Sequence, residues 1–189
     1  MRPLELAEIK SLAEYEAERA ALRPRMMERK ARRRIHVGDH LTFLFENRET
    51  VRYQIQEMIR IERITRPEDI AHEVKTYNEL IPGLNELSAS LLIEFETPDE
   101  RQVWLRRLLG LENHVWLTVE GFPPSKARFD TRQIATDRLS SVQYVKFPLT
   151  PEQVAHFRQG VRIIVDHPDY LATRQLSSQE VEELAGDLS

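Results

Sequence analysis

One stretch of the chain, from Ile35 to Ile64 (IHVGDHLTFLFENRETVRYQIQEMIRIERI), constrains the fold more than any other. It reads as one strand, a tight polar corner and one amphipathic helix with a glutamate in the middle of its apolar face. Side chains alternate across a strand, so Leu41, Phe43 and Phe45 point one way, into a core. His36, His40, Thr42, Leu44 and Glu46 point the other way, onto a face that is polar and either solvated or lining a site. Glu46-Asn47-Arg48 ends the strand, with Asn47 placed to accept from the free amides of the helix's first turn. Thr50 stands where a capping box wants Glu or Gln, which predicts an incomplete box. Stepping about 100° per residue from Val51 puts Val51, Ile55, Met58, Ile59 and Ile61 on one stripe, and Tyr53, Gln56, Arg60 and Arg63 opposite. Glu62 falls within the stripe. A carboxylate there is costly unless paired, protonated or metal-bound, which makes Glu62 a candidate buried acid. The alternatives are that it lies in an exposed last turn or is neutralised by an arginine.

Nothing in the 189 residues approaches a run of about 20 apolar residues, and MRPLELAEIK has no apolar signal core. A cytoplasmic protein without membrane association is therefore expected. The chain has no cysteine, which excludes thiol nucleophiles, disulfides and thiolate-held zinc or iron–sulfur clusters. Any divalent metal must be held by His, Asp or Glu. The net charge of −4 hides an asymmetry, a basic N-terminal part and an acidic C-terminal part.

Two segments are expected, an N-terminal helical arm over 1–34 and an α+β domain over 35–189. Ser11 and Glu14 form a capping box for a helix running through Ala20, which Pro24 then breaks or kinks. Arg29, Lys30, Arg32, Arg33 and Arg34 make a basic interaction patch. Phosphate binding needs such charge density, but no aromatic residue is interleaved for base stacking. A solvated face or an interface with an acidic partner is favoured over nucleic acid. Beyond the central stretch, Pro67 starts a helix with Ile70, Val74, Tyr77 and Ile81 inward. Strands follow at Leu91–Glu96, His114–Glu120, Val142–Phe147 and Val161–Val165, with helices opened by Thr97-Pro98, Thr150-Pro151 and Ser177. Residues 130–140 lack period and read as a surface connection. Together these predict a mainly antiparallel sheet of about five strands with packed helices largely to one side.

FENRETVRYQIQEMIRIERI, YNELIPG, SSVQYVKF and DHPDY together resemble an uncharacterised family called domain of unknown function 3501, over most of the chain from about Ser11 to Tyr170. The resemblance implies a setting beside rubrerythrin-like (ferritin-like) proteins and iron–sulfur oxidoreductases. It carries no catalytic residues with it.

Three constellations are candidates for chemistry. Asp166-His167-Pro168-Asp169-Tyr170, at a strand end, places a histidine between two aspartates; a plain turn is the alternative. The polar sheet face carries His40, Glu46, Glu94, Glu96, His114 and Glu120; Glu46, Glu94 and His114, with His167, supply O and N ligands for a divalent metal if the strands bring them together, and a solvated antiparallel face is the alternative. His36 and His40 are too far apart in extended chain to bind one ion. Phosphate-binding loops and hydrolase elbows are absent. The first expectation is a non-catalytic accessory protein of a redox or oxidative-stress system. The alternatives are a small metal-binding protein or metal-dependent enzyme, and nucleic-acid binding through the basic arm.

Overall fold

The computed structural model describes residues 1–188. The fold class is α+β, as the strand and helix pattern predicts, with the strands divided between two antiparallel sheets. The first sheet has the order β1-β2-β3-β7-β6, built from β1 (Arg34–Val37), β2 (Leu41–Glu46), β3 (Glu86–Ile93), β6 (Arg128–Phe129) and β7 (Val142–Pro148). The second has the order β5-β4-β8-β9, from β4 (Val115–Val119), β5 (Ser125–Lys126), β8 (Val161–His167) and β9 (Tyr170–Gln175). β5 and β6 are one extended segment that changes sheets at the buried Ala127. Lys126 pairs with Trp116, the Ala127 N–H donates to Val115 O, and Phe129 pairs with Val145. On the other side the Tyr170 hydroxyl donates to Val37 O at 2.8 Å and accepts from the His40 amide at 3.0 Å. The two sheets thus wrap one core, joined on both flanks.

Alternation fills that core. Ile35, Val37, Leu41, Phe43, Phe45, Leu87, Ala89, Leu91, Val145 and Phe147 from the first sheet meet Val115, Leu117, Val161, Ile163 and Val165 from the second. The rings of Phe43 and Phe45 each lie 6.0 Å from that of Phe147. Helices α4 (Pro98–Arg107) and α6 (Ser178–Ala185) plug it with Leu105 and Leu108, and with Val181, Leu184 and Ala185.

The outer face of the first sheet is covered as well. Helices α2 (Arg48–Glu62) and α3 (Pro67–Asn78) lay Val51, Ile55, Ile59 and Val74 against Leu4, Leu80, Ile81 and Tyr144. All six residues of β2 are therefore buried, so of the face expected to be polar Thr42, Leu44 and Glu46 are interior, while His40 is half-buried and His36 exposed. The buried face of α2 also differs from the expected stripe. Its buried positions include Tyr53 and Gln56, while Ile61 is 65% exposed. The helix is covered on two sides, because α1 (Leu12–Arg32) lies along it and packs Tyr15 and Met26 on Tyr53. Gln56 exchanges hydrogen bonds with the Lys10 backbone.

The capping box at Ser11 forms as expected, but α1 continues through Pro24. Proline removes one helical hydrogen bond. Here the turns on both sides of it are held by α2, through Tyr15 and Arg19 before it and Met26 and Lys30 after it. The box at Asn47 is complete, since the Thr50 hydroxyl accepts from the Asn47 amide at 2.9 Å and does the work of a glutamate. Among the described residues no helix is long and apolar enough to cross a membrane.

Glu57 is the acid that ties α1 to α2. Its carboxylate accepts from Arg19 Nε and Nη2 at 2.7 and 2.9 Å, from the Tyr15 hydroxyl at 2.7 Å and, more loosely, from Arg60. The Arg19 contact, with help from Tyr15 and Arg60, holds its pKa down to about 2 against the opposing effect of burial. A lowered carboxylate pKa stabilises the folded state above the unfolded value of 4.5 and ceases to do so as pH falls through 2. Amide exchange in α1 is expected to accelerate between those two values. In Glu57→Gln that acid-induced step should vanish; an unchanged step would show that another group controls it.

Candidate functional site

A cluster of polar and aromatic residues gathers where β8 turns into β9, beside α4. His167 pairs with Tyr170 across a two-residue hairpin turn, Pro168-Asp169. α4 is started by Thr97, whose hydroxyl accepts from the Glu100 amide while the Glu100 carboxylate accepts from Thr97. With its start fixed, the helix presents Trp104 and Arg107 to this corner. The His40 ring stacks on Phe95 at 4.1 Å, Phe95 stacks on Trp104 at 5.4 Å, and the Arg107 guanidinium lies 4.4 Å from the Trp104 ring. Arg107 also pairs with Asp169, which locks the hairpin tip to α4.

Each member of the Asp166–Tyr170 corner has a structural partner. Asp166 accepts from Trp116 Nε1 at 3.1 Å and His114 Nδ1 at 3.0 Å. The Trp116 bond, then His114, lowers its pKa. His167 is buried, accepts the Asp169 amide at Nδ1 (3.2 Å) and lies 3.1 Å from Leu109 O at Nε2. Because Nδ1 is the acceptor, the proton sits on Nε2 and donates to Leu109. Neither ring nitrogen is left for a metal or a substrate. Tyr170 is the clasp between the sheets, and burial raises its pKa. It also explains Gly38, at φ +68, where a Cβ would collide with the Tyr170 hydroxyl.

The proposed metal set is not brought together. Glu46 lies at the far end of β2 from this corner, about 20 Å of extended chain from His40. Its carboxylate is buried and accepts from the Thr50 hydroxyl at 2.5 Å and the Ser90 hydroxyl at 3.0 Å, bracing the strand–helix corner. Glu94 accepts from the Thr42 hydroxyl, whose oxygen in turn receives His36 Nδ1–H. His114 and His167 do meet edge-to-face, with ring centroids 5.2 Å apart, each hydrogen-bonded to its own partners. No group of three or more His, Asp or Glu among the described residues could hold an ion. Glu62 is not a buried acid. α2 ends there, Arg63 follows in the left-handed conformation at φ 53, and the Glu62 side chain is exposed.

The basic patch is largely neutralised from within. Arg33 has no exposed surface; it donates to Phe45 O at 2.9 Å and pairs with Asp187 and Glu183. Arg29 pairs with Glu49 at 2.6 Å, Arg32 pairs with Glu28 and Glu183, and Lys30 lies over the Tyr53 ring; Arg34 is exposed. Part of the acidic partner for this run is the chain's own C-terminal stretch, Glu183 in α6 and Asp187 just beyond it. Sequence reasoning missed that pairing, although the charge asymmetry of the two ends was its signal. It also missed Glu57, which four residues of helix spacing place between Tyr53 and Ile61 with no apolar pattern to mark it.

A family model described as a protein of unknown function, DUF3501, matches residues 3–188. The crystal structure of a novel protein of unknown function from Burkholderia pseudomallei is 32% identical, with a TM-score of 0.93 over 100% of both chains. No curated protein matches the chain.

Substitutions at the Arg33–Asp187 pair and chemical shifts at His167 test these placements. Asp187→Ala leaves the Arg33 cation buried without its closest partner and is expected to lower unfolding free energy by about 3 kcal/mol or more in urea titrations. Arg33→Met with Asp187→Leu should recover most of that loss; a single-site effect below about 0.5 kcal/mol would mean the pair is not buried in solution. For His167, nitrogen chemical shifts are expected to report the Nε2–H tautomer, unchanged by added zinc or manganese.

Proposed function

We propose, from the premise that the chain belongs to the DUF3501 family of proteins of unknown function, that it acts by binding, as a non-catalytic accessory protein of a cytoplasmic redox or oxidative-stress system. The observation that supports this best is the commitment of its buried polar groups to holding the fold. Arg33, Glu46 and His167 each brace a junction between elements. Arg101 and Arg138, exposed on the surface, remain free to contact another molecule. The redox setting rests on the resemblance alone, which implies a rubrerythrin-like, ferritin-like or iron–sulfur oxidoreductase partner.

Affinity purification of the tagged chain from its native cells is expected to recover an iron-containing partner in near-stoichiometric amount. Recovery of the chain alone at low salt would overturn the accessory function. So would a stoichiometric divalent metal that is lost on changing His167, Glu62 or Glu46, which would favour the metal-binding alternative. Salt-sensitive nucleic-acid binding lost on neutralising Arg32 and Arg34 would favour the third.

A further inference from the structure

Behind α4, away from the aromatic stack, an open groove of about 470 Å³ separates the helix from the segment 132–141. Its wall is a built structure. The segment leaves β6 through a turn capped by Asp130, narrows at a bridge between Ile134 and Leu139, and closes with the Ala135 amide donating to Arg138 O. Two interactions fix it to the body of the protein. The Leu139 amide donates to Leu105 O in α4 at 2.9 Å. Gln143, with no exposed surface, donates through Nε2 to Gln133 O at 3.1 Å and Ser140 O at 2.8 Å.

Three arginines line this groove, Arg101 from α4 and Arg132 and Arg138 from the facing segment. Arg132 pairs with Asp130 and Glu79. Among the described residues the guanidinium groups of Arg101 and Arg138 have no ion-pair or hydrogen-bond partner. The nearby acids Asp99, Glu100, Asp130 and Asp137 do not line the groove; Glu100 is held by Thr97 and Asp130 by Arg132. The lining is therefore cationic, with the Ser140 and Ser141 side by side and Leu105, Ile134 and Leu139 as its apolar part. Guanidinium forks match carboxylates in bidentate geometry. No aromatic side chain lines the groove, so there is no platform on which a nucleic-acid base could stack. An open groove also favours an extended segment over an enclosed small molecule.

We infer that this groove is the docking site for an acidic segment of a partner protein, whose carboxylates engage Arg101 and Arg138. The inference rests on the accessory function and names the surface and the partner chemistry through which it would work.

The test uses a fluorescently labelled octaglutamate peptide with the full chain, with octaglutamine and oligo-dT as comparison probes. Octaglutamate is expected to bind with an affinity that falls as salt rises through about 0.15 M, and octaglutamine to bind at least about tenfold more weakly. Arg101→Gln with Arg138→Gln, at two exposed and unpaired positions, should weaken octaglutamate by about tenfold without moving the thermal midpoint. Arg34→Gln, an exposed arginine outside the groove, should leave it unchanged. Equal binding of octaglutamate by the double variant, equal loss in Arg34→Gln, or tighter binding of oligo-dT would overturn the site. Native partner recovery separates the two proposals. A partner retained by the double variant removes the groove and leaves the accessory function. Groove-dependent peptide binding with no partner recovered removes the accessory function and leaves the groove.

Discussion

The structure depends on a buried cation. Arg33 stands between α1 and β1, and its guanidinium reaches Phe45 O at the end of β2, Glu183 on α6 and Asp187 just beyond it. Asp187 in turn accepts from Asn47, the residue that caps α2. One charge pair thereby fixes the entry to the first sheet, the corner after β2 and the helix that plugs the core. Isolated in a low-dielectric interior such a cation would be very costly, so the pair and the backbone acceptors are required together. Glu46 and Glu57 repeat the device on a smaller scale, one bracing a strand–helix corner and the other a helix–helix contact.

Most local elements were legible because their signals are local; the exception is Ile35–Glu46, expected as one strand, which the turn at Gly38 folds into the β1–β2 hairpin. Ser11, Asn47, Thr97, Thr150 and Ser177 all cap helices, and the alternation in β2, β4 and β8 names the residues of the core. The division into two sheets was not legible, because strand pairing is a long-range choice that alternation leaves open. β9 escaped for a different cause. Its outward positions include Leu171, 77% exposed, so its pattern does not read as a half-buried strand. The polar face of β2 was read correctly in parity but not in environment, since Thr42 and Glu46 are buried beneath other elements through hydrogen bonds that no spacing announces.

The candidate site shows the same limit. The Asp166–Tyr170 corner is as rich in titratable groups as its sequence suggests, yet each group is turned toward a structural neighbour. A histidine whose two nitrogens face a backbone amide and a carbonyl differs from a catalytic one only in three dimensions. The segment 132–141, which has no periodicity at all, instead forms a shaped wall beside unpaired arginines. Irregular backbone held by a buried side chain, here Gln143, is invisible to pattern because its regularity lies in tertiary hydrogen bonds.

The separation of 154 residues between Arg33 and Asp187 bears on how the chain reaches this state. Closing a loop of that length carries an entropic cost of about 4 to 5 kcal/mol before the contact gives anything back. Until it closes, the β1–β2 hairpin can pair but must keep a bare guanidinium in water, so it cannot be sealed on its own. Half-assembled forms are penalised at both ends of the sequence simultaneously, one with an orphan cation and one with an orphan carboxylate. The knot therefore acts as a cooperativity device that couples the first sheet to the C-terminal helix and leaves little room for a stable intermediate with only one of them in place.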